Sequence, residues 1–315
     1  MKVSFVDAAV ANLTAAIRAK PGMWANTLLV WTNDNGSPVS VGGSNHPLRG
    51  GKGSNWEGGT RVPAFVQGGR LPDKMRGTTH GGLIAIADWH ATIVGLAGLD
   101  PATAGEAGAA AVAPLDGVDA WPWLSGAEPH SGRHELVYAH LQNGGAPDNV
   151  TGVCKAGVPT EGGACARGAL QQDGWKLVVG PEAQNGWYGW YSPNASVPFN
   201  KTAFALTACH PEPCLLNLNG SMAEHEDVAA AHPDIVARLT ARFVALGATY
   251  HPPMANPQLD LSGYCAAVAR NGNFVGPWMQ APNDQTGGHA AWNATAAGAA
   301  DKEEVALTAR DMMMV

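Results

Sequence analysis

Residues 27–63, TLLVWTNDNGSPVSVGGSNHPLRGGKGSNWEGGTRVP, begin as an apolar run and turn abruptly polar. Residues 27–32 read as a buried strand. Asn33-Asp34-Asn35-Gly36 follows at once, and a glycine-rich loop then carries Lys52 between Gly51 and Gly53. Trp56-Glu57-Gly58-Gly59 closes it. In open α/β sheets ligands gather beyond the carboxyl ends of strands. A carboxylate and an amide oxygen there, with one ammonium nearby, suit a hard cation beside an oxyanion. Plainer readings fit the same residues. Asp-Asn-Gly after a strand is favoured turn chemistry, Lys52 could be a solvated loop lysine, and two ligands fall short of the roughly six to eight oxygens Ca²⁺ takes.

On the N-terminal side, Val3, Val6, Val10, Leu13 and Ile17 recur every three or four residues, which predicts an amphipathic helix packed on a sheet. Asp7 interrupts its apolar stretch, so it does not read as a signal peptide. A chain that opens on such a helix is expected to be the later part of a longer one. On the C-terminal side, residues 62–66 read as a short strand. Leu83, Ile86, Trp89, Ile93 and Leu96 predict a helix over residues 82–99. Strands are expected at 135–140 and 214–218, a hairpin across Asp173-Gly174, and a helix over 232–246 with Ile235, Val236, Leu239, Phe243 and Leu246 on one face. Arg49 and Arg61 flank the loop and are expected to pair with Glu57 or other acids. His46, His80 and His90 are expected in structural or surface roles. Trp187 and Trp190 are read as packing residues, with stacking on sugar rings as the alternative.

The composition narrows the classes. The chain has 315 residues, is 45% hydrophobic, and carries a net charge of −7 from 26 acidic and 19 basic residues. No Lys/Arg cluster accompanies that charge, which excludes a nucleic-acid binder. No apolar run approaches the roughly 20 residues of a membrane span. Five cysteines lie at positions 154, 165, 209, 214 and 265, none in a C-x-x-C pair, so a zinc knuckle is not expected. Asn-x-Ser/Thr sites at Asn12, Asn149, Asn194, Asn200, Asn219 and Asn293 point to the secretory pathway, where disulfides form.

Taken in order, these pieces resemble the sulfatase family of the alkaline phosphatase superfamily, the arylsulfatase B-like branch in particular. The residues are Asp34-Asn35-Gly36, Pro47-Leu48-Arg49-Gly50, Lys52 and Trp56-Glu57-Gly58-Gly59. Downstream come Asp88-Trp89 with Thr92, Pro114-Leu-Asp-Gly-Val118, Asp173-Gly-Trp-Lys-Leu177, Pro213-Cys-Leu-Leu216 and Gly276-Pro-Trp278. The resemblance implies that Asp34 and Asn35 are metal ligands for Ca²⁺ and that Lys52 is catalytic, contacting the sulfate. The family's nucleophile is a formylglycine made from Cys-x-Pro-Ser-Arg, and no cysteine here has that context. The implied fold is α/β: the C-terminal part of the sulfatase mixed-sheet sandwich, then a small α+β domain with an antiparallel sheet. Residues 1–130 would be the partial catalytic domain, 131–280 the α+β subdomain and 281–315 a low-complexity tail.

The implied function is sulfuric ester hydrolysis, with a sulfated carbohydrate or aryl sulfate as substrate and a lysosomal or extracellular location. A truncated chain with an incomplete active site is expected to show little turnover. A non-catalytic sulfated-glycan binding module is the alternative. A phosphoryl or phosphonate hydrolase is disfavoured by the Asp34, Asn35 and Lys52 set. By the same resemblance Cys165 is expected to pair with Cys214, Cys154 with Cys209, and Cys265 to be left over.

Overall fold

Seventeen residues without glycine or proline open the chain as helix α1 (Lys2–Arg18). The computed structural model describes residues 2–39, 42–101, 115–141, 154, 157–160, 165–182, 186–187, 207–249, 261–270, 272 and 274. Of the expected apolar stripe of α1, Val10 and Ile17 are half-buried, with Thr14 between them, whereas Leu13 stays 53% exposed. The Thr14 hydroxyl accepts a bond from Gln67 Nε2 at 3.4 Å. That bond ties the helix to the expected short strands, β1 (Leu29–Thr32) and β2 (Ala64–Gln67). The two pair antiparallel, with Trp31 opposite Phe65 and their rings stacked. Between them lies a single helical turn, α2 (Glu57–Thr60).

Helix α3 (Asp88–Leu96) starts later than its periodicity predicts. The cause is Asp88. Its carboxylate accepts the backbone N–H of Ala85 and of Val118, each at 2.7 Å, and binds the Arg133 guanidinium. Both donors lie outside α3, so the carboxylate pins the residues before the helix and the Val118 segment to its first turn. Ile86, counted on the apolar stripe, is therefore outside the helix and 73% exposed. The short α4 (Trp121–Leu124) packs Trp123 and Leu124 on Val66, Ile84 and Trp89.

The second half builds one antiparallel sheet from β3 (Glu135–Leu141), β4 (Val158–Pro159), β5 (Cys165–Gln172), β6 (Trp175–Glu182) and β7 (Thr207–Asn217). Strand order is β3-β5-β6-β7, with β4 beside β5. Asp173 and Gly174, both at positive φ, make the expected β5–β6 hairpin turn. Side chains alternate between faces along a strand, and both faces here are covered. Leu177, Val179 and Leu215 pack on Leu239 and Phe243 of α5 (Pro233–Leu246). Val178, Cys214 and Leu216 face the other way and pack on Trp56. The glycine-rich loop is thus the second lid of this sheet.

The disulfides differ from expectation. Cys154 bonds Cys165, and Cys209 bonds Cys214. Cys165 lies on β5 and Cys214 on β7, with β6 between them. Two strand spacings come to roughly 9–10 Å, beyond the Cα separation a disulfide spans. The observed Cα distances are 5.7 and 4.9 Å. Cys209 and Cys214 meet because β7 bulges: it runs from 209 to 214 while β6 runs only from Gly180 to Val178. Cys265 is the leftover thiol, exposed on α6 (Leu261–Arg270).

Met1–Pro252 forms one compact unit and residues 253–315 a second. No helix among the described residues is long and apolar enough to cross a membrane. The glycosylation sites at Asn149, Asn194, Asn200 and Asn293, Trp190, the landmark at 276–278 and the tail from 281 lie outside the described residues.

Candidate functional site

The turn after β1 and the Lys52 loop are separate in sequence and joined in space by Asn45. Its Oδ1 accepts the Ser37 N–H at 2.8 Å, and its Nδ2 donates to Ser37 O at 2.9 Å and to Gly50 O at 3.0 Å. The Lys52 N–H donates to Ser37 O at 3.2 Å, and the Gly36 N–H to Gly59 O at 2.9 Å. The contact is so close that a Cβ on Gly36 would stand 1.7 Å from Gly58 O. Only glycine permits that approach.

This lacing sets the backbone of Lys52 beside that of Ser37, two positions from Asn35. Asp34 is exposed, and its Oδ1 accepts the Asn35 N–H at 2.9 Å. Asn35 is half-buried and Lys52 exposed. Asp34 and Asn35 are oxygen donors and fit Ca²⁺ in kind, but the two supply a minority of its ligands. Among the described residues no group of three or more His, Cys, Asp or Glu side chains could hold a metal.

Sequence reading missed what lies beneath the loop. Lys176 is fully buried on β6, on the same face as Val178. Its Nζ lies 2.9 Å from Glu57 Oε1 and 2.9 Å from Glu224 Oε1, and both glutamates are buried. The Glu57 contact is an aligned hydrogen bond, whereas the Glu224 contact is a charge contact without that alignment. Glu224 Oε2 instead accepts the Glu57 N–H at 2.6 Å. As expected, Arg61 pairs with Glu57, at 2.7 Å. The Tyr138 hydroxyl donates to Gln171 Oε1 and lies 3.2 Å from Glu57 Oε1.

The two carboxylates respond differently to one partner. Burial works to raise Glu57, but Lys176 and Arg61 outweigh it and hold Glu57 below the ordinary value. Burial raises Glu224, and the Lys176 charge offsets only part of that rise. Burial also raises the Tyr138 hydroxyl, keeping it a neutral donor. A lysine inside the apolar run Trp175–Val179 was the available signal for this cluster, since such a residue is buried only with partners. Nothing in the polar run around Glu224 marked it out.

A second clamp lies beside the first. Arg49 stacks on Trp56 at 3.8 Å and on Trp187 at 4.9 Å, and Trp187 stacks in turn on His225. Trp187 is thus a packing residue, as read from the sequence. Burial lowers the Arg49 guanidinium. The Gly50 N–H donates to Gly186 O at 2.8 Å, and Asn55 Nδ2 donates to Glu182 Oε2 at 2.7 Å. A cavity of about 490 Å³ lies to one side, lined by Arg61, His80, Arg133 and Asp173 among others, without Asp34, Asn35 or Lys52. His80 has the structural place expected of it, 3.1 Å from the Thr78 hydroxyl and edge-on to Trp123.

Comparison with known proteins agrees with this architecture. Residues 2–99 match the sulfatase family model. The chain is 27% identical to mouse arylsulfatase J over 305 residues, covering 89% of this chain and 44% of that protein. It is 33% identical to mouse steryl-sulfatase over 153 residues, covering 44% of this chain and 22% of that protein. It therefore spans less than half the length of these relatives. Among solved structures, the PsFucS1 sulfatase from Pseudoalteromonas sp. superposes with a TM-score of 0.50 at 21% identity, over 77% of this chain and 41% of that one. Residues 2–99 therefore resemble the sulfatase family, and the arylsulfatase J and steryl-sulfatase relatives and the PsFucS1 fold agree with that likeness.

Proposed function

We propose that this chain carries the metal-side and sulfate-side part of a sulfuric ester hydrolase site, with Asp34 and Asn35 as ligands to Ca²⁺ and Lys52 as the sulfate contact. The observation supporting this most directly is the Asn45 lacing, which keeps the Asp34–Asn35 turn next to the Lys52 loop. The Lys52 ammonium would neutralise charge on the sulfate oxygens. The Asp34 carboxylate and Asn35 carbonyl would hold the cation, and Ca²⁺, when bound, would add a second positive charge at the same oxygens. The glycines around Lys52 let backbone stand close to an ester that a larger residue would exclude. The substrate class is a sulfated carbohydrate or aryl sulfate, and the place of action is the lysosome or the extracellular space. Residues 1–130 would be the partial catalytic domain that carries the site, and 131–280 the α+β subdomain.

None of the five cysteines stands in Cys-x-Pro-Ser-Arg, so these residues alone hold no formylglycine nucleophile. Binding without turnover is the expected behaviour. That same absence favours the second reading, a sulfated-glycan binding module. The full chain titrated with an aryl sulfate, with Ca²⁺ present and then chelated, separates the two. Binding that needs Ca²⁺, is lost in Asp34→Ala and Lys52→Ala, and releases no phenol supports the hydrolase site. Binding indifferent to Ca²⁺ selects the glycan module. Robust phenol release overturns the assignment of the nucleophile.

A further inference from the structure

We propose that Lys176 is a positioning residue for the Lys52 loop, so that the antiparallel sheet of the second half sets where the sulfate contact stands. The inference rests on the reading of Lys52 given above. Its physical basis is separate.

A glycine-rich loop has many accessible backbone states and needs an external template to hold one. Here the template is β6 and its neighbours. Lys176 is fully buried, 119 residues after Glu57, and holds the carboxylate at the start of α2. Glu224 takes the remaining side of the ammonium and also accepts the Glu57 backbone N–H. One cation on a rigid strand therefore fixes both the side chain and the backbone of Glu57. From Glu57 the constraint runs back to Lys52 through short bonds. The Gly58 N–H donates to Arg49 O at 2.7 Å, and the Ser54 N–H to Gly51 O at 3.0 Å.

A purely hydrophobic core would have sufficed for stability. Replacing buried ion pairs by apolar groups is often neutral or stabilising, while charges in a fixed geometry specify one arrangement over near alternatives. A lysine held between two carboxylates favours one height of the loop over its near alternatives. Leucine packing would not.

The test uses the full chain and two variants that leave no buried carboxylate without a cation. Lys176→Met with Glu224→Gln removes one cation and one anion together. Glu57→Gln leaves Lys176 paired with Glu224, breaks the loop side, and releases the part-exposed Arg61 to solvent. Each is compared with wild type for inorganic sulfate affinity in Ca²⁺, thermal midpoint, and hydrogen exchange at residues 49–56 and 169–179. The expected result is a near-native midpoint, exchange in 49–56 faster by about tenfold with 169–179 unchanged, and sulfate affinity weaker by roughly tenfold or more. Unchanged exchange and unchanged affinity in a folded variant overturn the proposal. Failure of both variants to fold also overturns it, because the cluster then serves the whole unit. If wild type binds no sulfate, the Lys52 reading fails by itself, and the exchange at 49–56 alone decides the positioning role.

Discussion

Removing the Lys176 ammonium while keeping both carboxylates should be among the most damaging single changes in the molecule. Lys176→Met leaves Glu57 and Glu224 buried around an apolar side chain, where Nζ had stood 2.9 Å from an oxygen of each. Arg61 still pairs with Glu57, so that carboxylate is partly compensated. Glu224 keeps one accepted N–H and the nearby Arg49 charge, and loses the ammonium in contact with its carboxylate. Stripping one partner from a buried pair costs about 3–5 kcal/mol, and Glu224 bears most of it here. Adding Glu224→Gln removes the orphaned charge and should recover at least about 2 kcal/mol, a coupling typical of residues sharing one network. The assay is urea unfolding followed by tryptophan fluorescence, since Trp56 and Trp175 both lie close to the cluster. A Lys176→Met cost below about 1 kcal/mol, or a double variant no better than the single, would refute the buried-charge account.

The two glutamates should show opposite pH trends. The folded state raises Glu224 above its ordinary 4.5, so its contribution is complete below that pH and is lost as pH rises through the folded value. Glu224→Gln should therefore gain on wild type as pH climbs, which unfolding curves across pH will check. Glu57 is held below 4.5, so its contribution is present above that pH and lost as pH falls through the folded value; the penalty of Glu57→Gln should fade on acidification. Asp88→Ala should cost about 3–5 kcal/mol by stranding Arg133, whose guanidinium is raised by its bonds to Asp88, and a lowered thermal midpoint would show it. Each disulfide closes a short loop, with sequence separations of 11 and 5. Cys154→Ser with Cys165→Ser should cost about 3 kcal/mol and Cys209→Ser with Cys214→Ser about 2, readable by denaturant unfolding of each double variant.

Much of the fold could be read from local pattern. The apolar run before Asp34, the turn at Asp173-Gly174 and the stripe Ile235-Leu239-Phe243 each signal through neighbours in sequence. Their elements formed where expected. What escaped depends on partners far along the chain. The Asp88 carboxylate moved the start of α3 through Val118 and Arg133. The cysteine pairing turned on a bulge in β7 and on β6 lying between β5 and β7. The Glu57–Lys176–Glu224 cluster joins three segments whose only common signal is one lysine in an apolar strand. At the candidate site the residue types were legible, but Asn45, which laces the turn to the loop, reads in sequence as one more polar loop residue.

Asp34, Asn35 and Lys52 are assigned to a single pocket for an anion and a dication, and a crystal structure of the full chain grown with calcium chloride and sulfate addresses that assignment head-on. The account predicts a calcium peak bonded to oxygens of Asp34 and Asn35, with a sulfate between that ion and the Lys52 ammonium. A sulfate bound elsewhere, with the Lys52 side chain turned from the Asp34–Asn35 turn, would contradict it.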